Sequence, residues 1–338
     1  MSDHRYGVAV VGCGEVGARR AASAAAHPWS ELRVAVDPDI VRAQAVTARY
    51  GGEAVTAWSD ALARDDVDVV VVATPHLFLA EVAVAALKAD KHVLVETPMA
   101  RNVNEAVQIA GVATRAQRVL KVGFNHRYHP GVARAHGMAR GGVIGDLIQL
   151  RARYGHAGRP GAEATWRGNR ELAGGGMLTD LGIQLVDLVQ WFAGEPEEVF
   201  AWTQSAARPG AGLEDGAFAL LRWPEGLVAQ LQTSWTELRP HFSLEVVGKE
   251  GCITAEGLGG GFGAPSLTVV RRRLDGRLFT ERTTFDEDDA SWTDEWAELM
   301  RAVDEGAPMG GTASDGVTAI SLLDAMYRSA NAGQVTNP

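Results

Sequence analysis

The chain has 338 residues, 46% of them hydrophobic and 22% charged, with a net charge of −10, values that exclude a disordered chain. Its 39 glycines, about 12% of the residues against a usual ~7%, come with only 13 prolines, which excludes collagen-like and low-complexity chains. The negative charge argues against a nucleic-acid or anionic-membrane surface, and two cysteines are too few for a disulfide framework.

The length predicts two domains. The opening MSDHRYGVAVVGCG runs straight into a strand with no signal-peptide pattern, and no apolar run reaches the ~18–20 residues of a spanning helix. A cytoplasmic protein is expected. From residue 5 to about 123, short β-branched runs (7–12, 32–36, 67–73, 92–95, 118–122) alternate with helical, alanine-rich segments (16–26, 40–50, 58–64, 79–89, 103–114). Such alternation with near-continuous apolar strands predicts a doubly wound parallel sheet. After that the rhythm changes. Ile148, Leu150, Ala152 and Tyr154 alternate with Gln149, Arg151 and Arg153, and 227–235 does the same. Further strands are predicted at 199–204, 215–223, 242–247, 252–255, 267–272 and 278–285, the last two joined by an Asp275-Gly276 turn. Helices are predicted at 180–192, 293–305 and 316–329. Period-two alternation implies a largely antiparallel sheet with two unlike faces, hence an α+β second domain. The boundary is placed at 123/124, giving domains 1–123 and 124–338. The glycine-rich stretch 257–264 (GLGGGFGA) reads as flexible loop punctuation.

The strongest motif is Gly12-Cys13-Gly14-Glu15-Val16-Gly17, a GxGxxG that follows an apolar strand and opens a helix. There Gly12 permits the tight turn, Gly14 lets the backbone approach a pyrophosphate, and Gly17 allows close helix–strand packing. The helix N-terminus supplies unpaired N–H groups for the phosphates, and Cys13 reads as a small packing residue. Asp37 ends the next strand, where a carboxylate accepts from both ribose hydroxyls and repels a 2′-phosphate. NAD is therefore expected over NADP. Ala73, Thr74 and Pro75 end a further strand at the edge where ligands bind such sheets, and His76 beside them is a cofactor or substrate contact candidate. No metal-ligand spacing and no nucleophile elbow appears.

The segments VAVVGCGEVGARR, VVVVATPHLFLAEVAVAAL, HVLVETPMARNVNEA, GFNHRYHPGVARA, IGDLIQLRARY and GGGMLTDLGIQLVDLVQWFAG resemble, in order, the Gfo/Idh/MocA oxidoreductases (glucose–fructose oxidoreductase, inositol dehydrogenase and relatives). The resemblance implies an N-terminal Rossmann domain, a C-terminal domain on an open, largely antiparallel sheet, and an active site between them. It implies NAD(P)-dependent redox chemistry at a hydroxyl or carbonyl of a sugar, cyclitol or related polyol, and a homodimer or homotetramer. Two positions depart from the family pattern. Glu96-Thr97-Pro98 stands where the family has Glu-Lys-Pro, and Gln184 stands where a histidine follows the retained Asp180 by four residues. Neither Thr97 nor Gln184 exchanges a proton near neutral pH, although Gln184 has a donor and an acceptor for a substrate hydroxyl.

Asp180 and Gln184 are expected on one face of one helix. Asp180 is either the proton acceptor or a helix-capping group. His126 is a further acid/base candidate, with Tyr128 and His129 beside it in GFNHRYHP. Asn125 is expected to shape the cofactor and substrate site. The resemblance implies substrate contacts at Tyr154, His156, Arg159 and Trp166, with strand-end packing and a solvated loop as the alternative, and Arg127 and Tyr128 are further candidates. Three functions stay open: an NAD(P)-dependent oxidoreductase, an NAD-retaining enzyme without net redox turnover (lyase, epimerase or glycosidase), and a dinucleotide-binding protein that has lost catalysis.

Overall fold

A computed structural model describes residues 5–158, 161, 164–206, 212–273, 275–286 and 288–338. Arg159 lies outside the described residues. The chain divides into two compact units: residues 1–124 with 292–320, and residues 125–291 with 321–338.

In the first unit a parallel sheet of order β3-β2-β1-β4-β5-β6 is built from β1 (Tyr6–Val11), β2 (Ser30–Val36), β3 (Glu53–Val55), β4 (Val69–Val72), β5 (His92–Val95) and β6 (Leu120–Val122). The crossovers are α1 (Glu15–Ala26), α2 (Ile40–Tyr50), α3 (Trp58–Leu62), α4 (His76–Lys88) and α5 (Val103–Ala116). Strand β4 is four valines, all buried, as helices on both sheet faces require. Side chains fix two helix starts: Asp39 accepts from Val41 N–H at the head of α2 and Asn102 from Glu105 N–H at the head of α5. Strand β3, three residues long, was not foreseen. It follows Gly51 and Gly52, both at positive φ, and is too short to show alternation.

The single boundary at 123/124 needs correction, because 292–320 belongs with the first unit. Helix α9 (Ser291–Glu305) carries Trp296, Leu299 and Met300 into the same core as Val8, Val10, Leu32 and Ala43. Trp296 is wholly buried and its indole N–H donates to Ser30 Oγ at 3.0 Å. Lys121 of β6, also wholly buried, donates to Glu298 Oε2 at 2.7 Å and to Gly310 O at 2.6 Å.

The second unit holds a sheet of order β14-β13-β12-β11-β7-β10-β9-β8. Its strands are β7 (Leu147–Gly155), β8 (Glu198–Gln204), β9 (Gly216–Arg222), β10 (Val228–Ser234), β11 (His241–Gly248), β12 (Gly251–Glu256), β13 (Ser266–Arg272) and β14 (Leu278–Thr284). Every pairing is antiparallel except β7 with β10, which is parallel. The alternation predicted for β7 holds from Leu150 onward, with Leu150, Ala152 and Tyr154 buried, whereas Ile148 near the strand's start is exposed. Helix α6 (Pro130–Arg140) packs on β11, β12 and β13, and α8 (Ile183–Ala193) on β7 and β10. The helical stretch Arg170–Ala193, which starts with the short α7 (Arg170–Ala173), has the length and mean hydropathy (1.3) of a membrane span. It is a core helix: 78% of that window is buried. Helix α10 (Ala313–Ala332) ends the chain's regular structure, and Thr336 pairs with Val199 of β8.

Candidate functional site

In the first unit the three motif glycines are required for three different reasons. Gly12 has φ +94°, and a β-carbon there would lie 2.4 Å from Ala73 O, so only glycine makes this turn. A β-carbon on Gly17 would lie 1.8 Å from Gly12 O, which brings α1 against the turn. At Gly14 a β-carbon meets nothing within 4 Å: the space beside that backbone is filled by no protein atom. Helix α1 starts just after it with no side-chain cap. The buried Thr74 hydroxyl, in the segment that flanks Gly12, has no hydrogen-bond partner among the described residues. An open backbone cradle, uncapped helical N–H groups and an unused buried hydroxyl suit a dinucleotide pyrophosphate.

Asp37 is buried, and its Oδ2 accepts from Cys13 N–H and its Oδ1 from Asp39 N–H, both at 2.9 Å. Cys13 is buried with its thiol donating to Val36 O at 3.4 Å; burial first, then the Asp37 charge, push that thiol up to about 12, so it stays protonated. Glu15 faces solvent and pairs with Arg19 at 3.2 Å, and Val16 is half buried. Ala73 and Pro75 are half buried and His76 is buried at the head of α4. Glu96 accepts from Arg20 Nε, and Thr97 precedes Pro98 through a cis peptide bond. Arg20, three residues past Gly17 and wholly buried, also donates to Glu295 Oε2 at 2.5 Å and lies 4.5 Å from the Trp292 ring. One guanidinium therefore ties the cofactor helix α1 to the Glu96-Thr97 segment and to α9.

In the second unit the helix bearing Asp180 departs from expectation. Leu178–Gly182 is a π-helical turn that leads into α8, so Asp180 and Gln184 do not have the simple α-helical offset their spacing implied. A brace sets this turn. Glu214 Oε1 accepts from Gly176 N–H at 2.8 Å, from Leu178 N–H at 3.1 Å and from the Tyr327 hydroxyl at 2.6 Å. The Tyr327 and Thr179 hydroxyls meet at 2.7 Å. A β-carbon on Gly175 would lie 2.0 Å from Thr179 Oγ1, and one on Gly176 2.1 Å from Glu214 O, which explains the glycine run before the helix. Arg167 Nε donates to Asp180 Oδ1 at 3.2 Å and Oδ2 at 3.3 Å, with its guanidinium 4.4 Å from the Trp166 ring. Trp166, Asp180 and Gln184 are thus carried by one continuous stretch, with Gln184 buried and Asp180 partly exposed.

The GFNHRYHP candidates separate. Asn125 Nδ2–H donates to Ser291 Oγ at 3.0 Å, and Ser291 Oγ–H donates to Asp289 Oδ1 at 2.6 Å. His126 Nδ1 meets Asn125 Oδ1 at 3.2 Å; a carbonyl oxygen only accepts, so Nδ1 carries the proton. The ring lies 5.0 Å from Tyr154, 5.4 Å from His129 and 5.8 Å from Phe242, and its Nε2 is enclosed. Burial holds the imidazole well below its usual pKa. A neutral, enclosed ring in this position packs the segment. Arg127 is buried as well. Its guanidinium makes a two-pronged pair with Asp187 at 2.8 and 2.5 Å, both residues buried, and so anchors this segment to α8. Tyr128 is half buried; Tyr154 is buried among aromatic rings. Arg167, Glu214, Tyr327 and Glu295 escaped the sequence analysis, since each acts through a partner that no local spacing marks.

A parallel sheet with this glycine turn and an acid at the end of β2 defines an NAD-binding Rossmann unit, followed here by an α+β unit. Residues 6–124 match the family description "Oxidoreductase family, NAD-binding Rossmann fold", and residues 132–254 match "GFO/IDH/MocA C-terminal domain". The chain is 32% identical over 225 residues to a dTDP-3,4-didehydro-2,6-dideoxy-alpha-D-glucose 3-reductase of Actinomadura kijaniata, covering 66% of this chain and 67% of that one. It is 25% identical to an inositol 2-dehydrogenase of Rubrobacter xylanophilus over 97% of this chain and 92% of that one. Among solved structures, GenD2 from gentamicin A biosynthesis in complex with NAD is 31% identical, with a TM-score of 0.86 over 99% of this chain and 97% of that one. The chain belongs to the Gfo/Idh/MocA family of oxidoreductases.

Proposed function

We propose that the protein is an NAD-dependent oxidoreductase that interconverts a hydroxyl and a carbonyl on a sugar, cyclitol or related polyol. The observation that carries this is the turn at Gly14, open beside the backbone and flanked by the uncapped start of α1. The activities named for the relatives support the substrate class. Each Asp37 oxygen has a second acceptor direction for a ribose hydroxyl, and the carboxylate disfavours a 2′-phosphate, so NAD is the preferred cofactor over NADP. Gly12, Gly14, Gly17, Asp37 and the Ala73-Thr74-Pro75 segment hold it.

Hydride transfer is the chemistry that NAD would supply when bound; the chain handles the hydroxyl proton. Asp180 takes that proton, with Arg167 fixing the orientation of its carboxylate. Gln184 aligns a neighbouring hydroxyl through its amide donor and acceptor. Thr97 supplies a short hydroxyl and Gln184 an amide at the positions where the family resemblance implies lysine and histidine. A second reading is an enzyme that keeps NAD bound and returns the hydride to the same substrate, which needs the same proton transfer. The unpaired state of Cys13 and Cys252 supports a reducing, cytoplasmic compartment. The outer face of the second unit's sheet supports a homodimer or homotetramer.

The test is to titrate the purified protein with NADH, then follow nicotinamide absorbance while sugars, cyclitols and ketoses are screened. Cofactor turnover supports the oxidoreductase; product without net NADH change supports the second reading; binding with neither overturns both. Asp180→Asn is expected to lower kcat by ~10²–10⁴-fold with NADH binding unchanged, and an unaltered rate removes Asp180 from the mechanism.

A further inference from the structure

The glycine-rich segment 257–264 has no part in the site described so far. It is an ordered turn held by its own backbone. Gly259 N–H donates to Gly263 O at 2.9 Å, Phe262 N–H to Gly259 O at 3.1 Å, Gly263 N–H to Gly260 O at 3.1 Å, and Gly257 N–H to Phe242 O at 3.2 Å. Gly257, Gly259, Gly260 and Gly263 all have positive φ, between +53° and +85°. A β-carbon at Gly257 would also lie 2.5 Å from Ala264 O. Fixing four glycines costs more chain entropy than fixing any other residues, so the path has to deliver something. Leu258 is buried and anchors the turn. The large side chain it presents is Phe262, half buried.

The Phe262 ring lies 5.5 Å from the ring of Tyr154 and 6.4 Å from that of His156. Both neighbours were substrate-contact candidates from the sequence. Tyr154 leads on to Phe242 at 5.8 Å, so Phe262 is the half-buried outer edge of a continuous aromatic cluster. His156 Nδ1 accepts from Gly158 N–H at 2.8 Å, which puts the proton of the neutral ring on Nε2. The edge of the cluster therefore combines an apolar ring with a polar N–H.

We propose that Phe262 is a specificity-determining residue whose ring covers the C–H face of a closed-ring substrate, a pyranose or cyclitol, and so selects it over an open-chain polyol. The inference rests on the oxidoreductase proposal. A chair-form polyol presents C–H groups on its faces and hydroxyls at its rim, which matches an aromatic surface edged with polar groups. An open-chain polyol offers no contiguous C–H face and loses more rotational freedom on binding.

The experiment compares kcat/KM for myo-inositol and methyl α-D-glucopyranoside with that for D-sorbitol, in the wild type and in Phe262→Ala, alongside calorimetric titration of the ring compounds into the NADH-loaded proteins. Phe262→Ala is expected to lower kcat/KM on the ring substrates about tenfold, the scale of one aromatic contact, chiefly through KM, and to spare sorbitol. Phe262→Trp is expected to keep the preference. An unchanged ring-to-chain ratio in a folded Phe262→Ala variant overturns the inference while leaving the oxidoreductase proposal standing. Where the alanine variant does not fold, Phe262→Leu fills the volume without the aromatic face, and an unchanged ratio there overturns the inference equally. If the wild type oxidises no polyol, the oxidoreductase proposal fails. The titrations then decide Phe262: ring binding weakened about tenfold upholds it, and unaltered or absent ring binding overturns it.

Discussion

Both carboxylate oxygens of Asp37 already accept a backbone N–H, one from the glycine turn and one from the head of α2, and each keeps a further acceptor direction. The same group therefore shapes the turn and faces the ribose in the proposed complex. Asp37→Ser removes the charge and shortens the reach. NADH affinity is expected to fall about tenfold while the ratio of NADPH to NADH affinity rises, measured by fluorescence titration of the two cofactors; an unchanged ratio means that Asp37 does not set the preference. Gly12, Gly14, Gly17 and Asp37 were legible because their roles follow from local spacing along one strand–turn–helix. Arg127 was not. Nothing near it in the chain marks Asp187, 60 residues on, as the partner that draws its guanidinium into the core. Arg167 was missed for the same reason, since its role exists only once the loop places it on Asp180.

The period-two strands of the second unit were readable because one face of each is buried and the other is not. The π-helical turn at Leu178–Gly182 was unreadable, because its apolar spacing is also that of an α-helix and the cause lies in Glu214 and Tyr327. The contact between α6 and α8 has a measurable consequence. His136 of α6 stacks on Trp191 of α8 at 3.5 Å. Burial there lowers its pKa to about 4, opposed by its hydrogen bond to Trp191 O. An unfolded chain protonates this histidine near its ordinary ~6.5, whereas the folded one does not until about 4. The contribution to stability is thus complete above ~6.5 and is lost as pH falls from there towards 4. Urea unfolding is expected to show stability dropping by ~1–3 kcal/mol over that window, with a shallower drop in His136→Phe. An identical slope in the variant assigns the pH dependence elsewhere.

At the scale of the whole molecule, one face of the second unit's sheet carries exposed apolar side chains. At its β8–β9 end, Phe200 and Trp202 stack edge to face at 4.2 Å and pair across the strands with Leu220 and Phe218. Trp202, Phe218 and Leu220 are all exposed, Trp202 by 55%. An exposed apolar patch of this kind supports the proposed homo-oligomer. Trp202→Glu is expected to weaken self-association on the order of 100-fold, seen as a smaller species by sedimentation velocity with cofactor binding retained; an unaltered sedimentation coefficient places the subunit contact on another face. The sheet's existence was legible in the alternation, but the true division of the chain was not. Helix α9 reads as an ordinary amphipathic helix, and only Trp296 packed beside Ser30 reveals which core it completes.

That return of 292–320 to the first unit bears on how the protein is made. The cofactor-binding core is written in two pieces separated by the entire second-unit sheet, and its last large side chains, Trp296, Leu299 and Met300, are translated after that sheet. The second unit likewise takes in a later segment, with Thr336 paired to Val199 of β8. A ribosome that has delivered the glycine turn and all six strands of the first sheet has still not delivered the residues that seal it. Nascent chains must therefore carry β1 to β6 without Trp296, Leu299 and Met300 until the second-unit sheet has been translated, so the core of the first unit is completed only after that sheet.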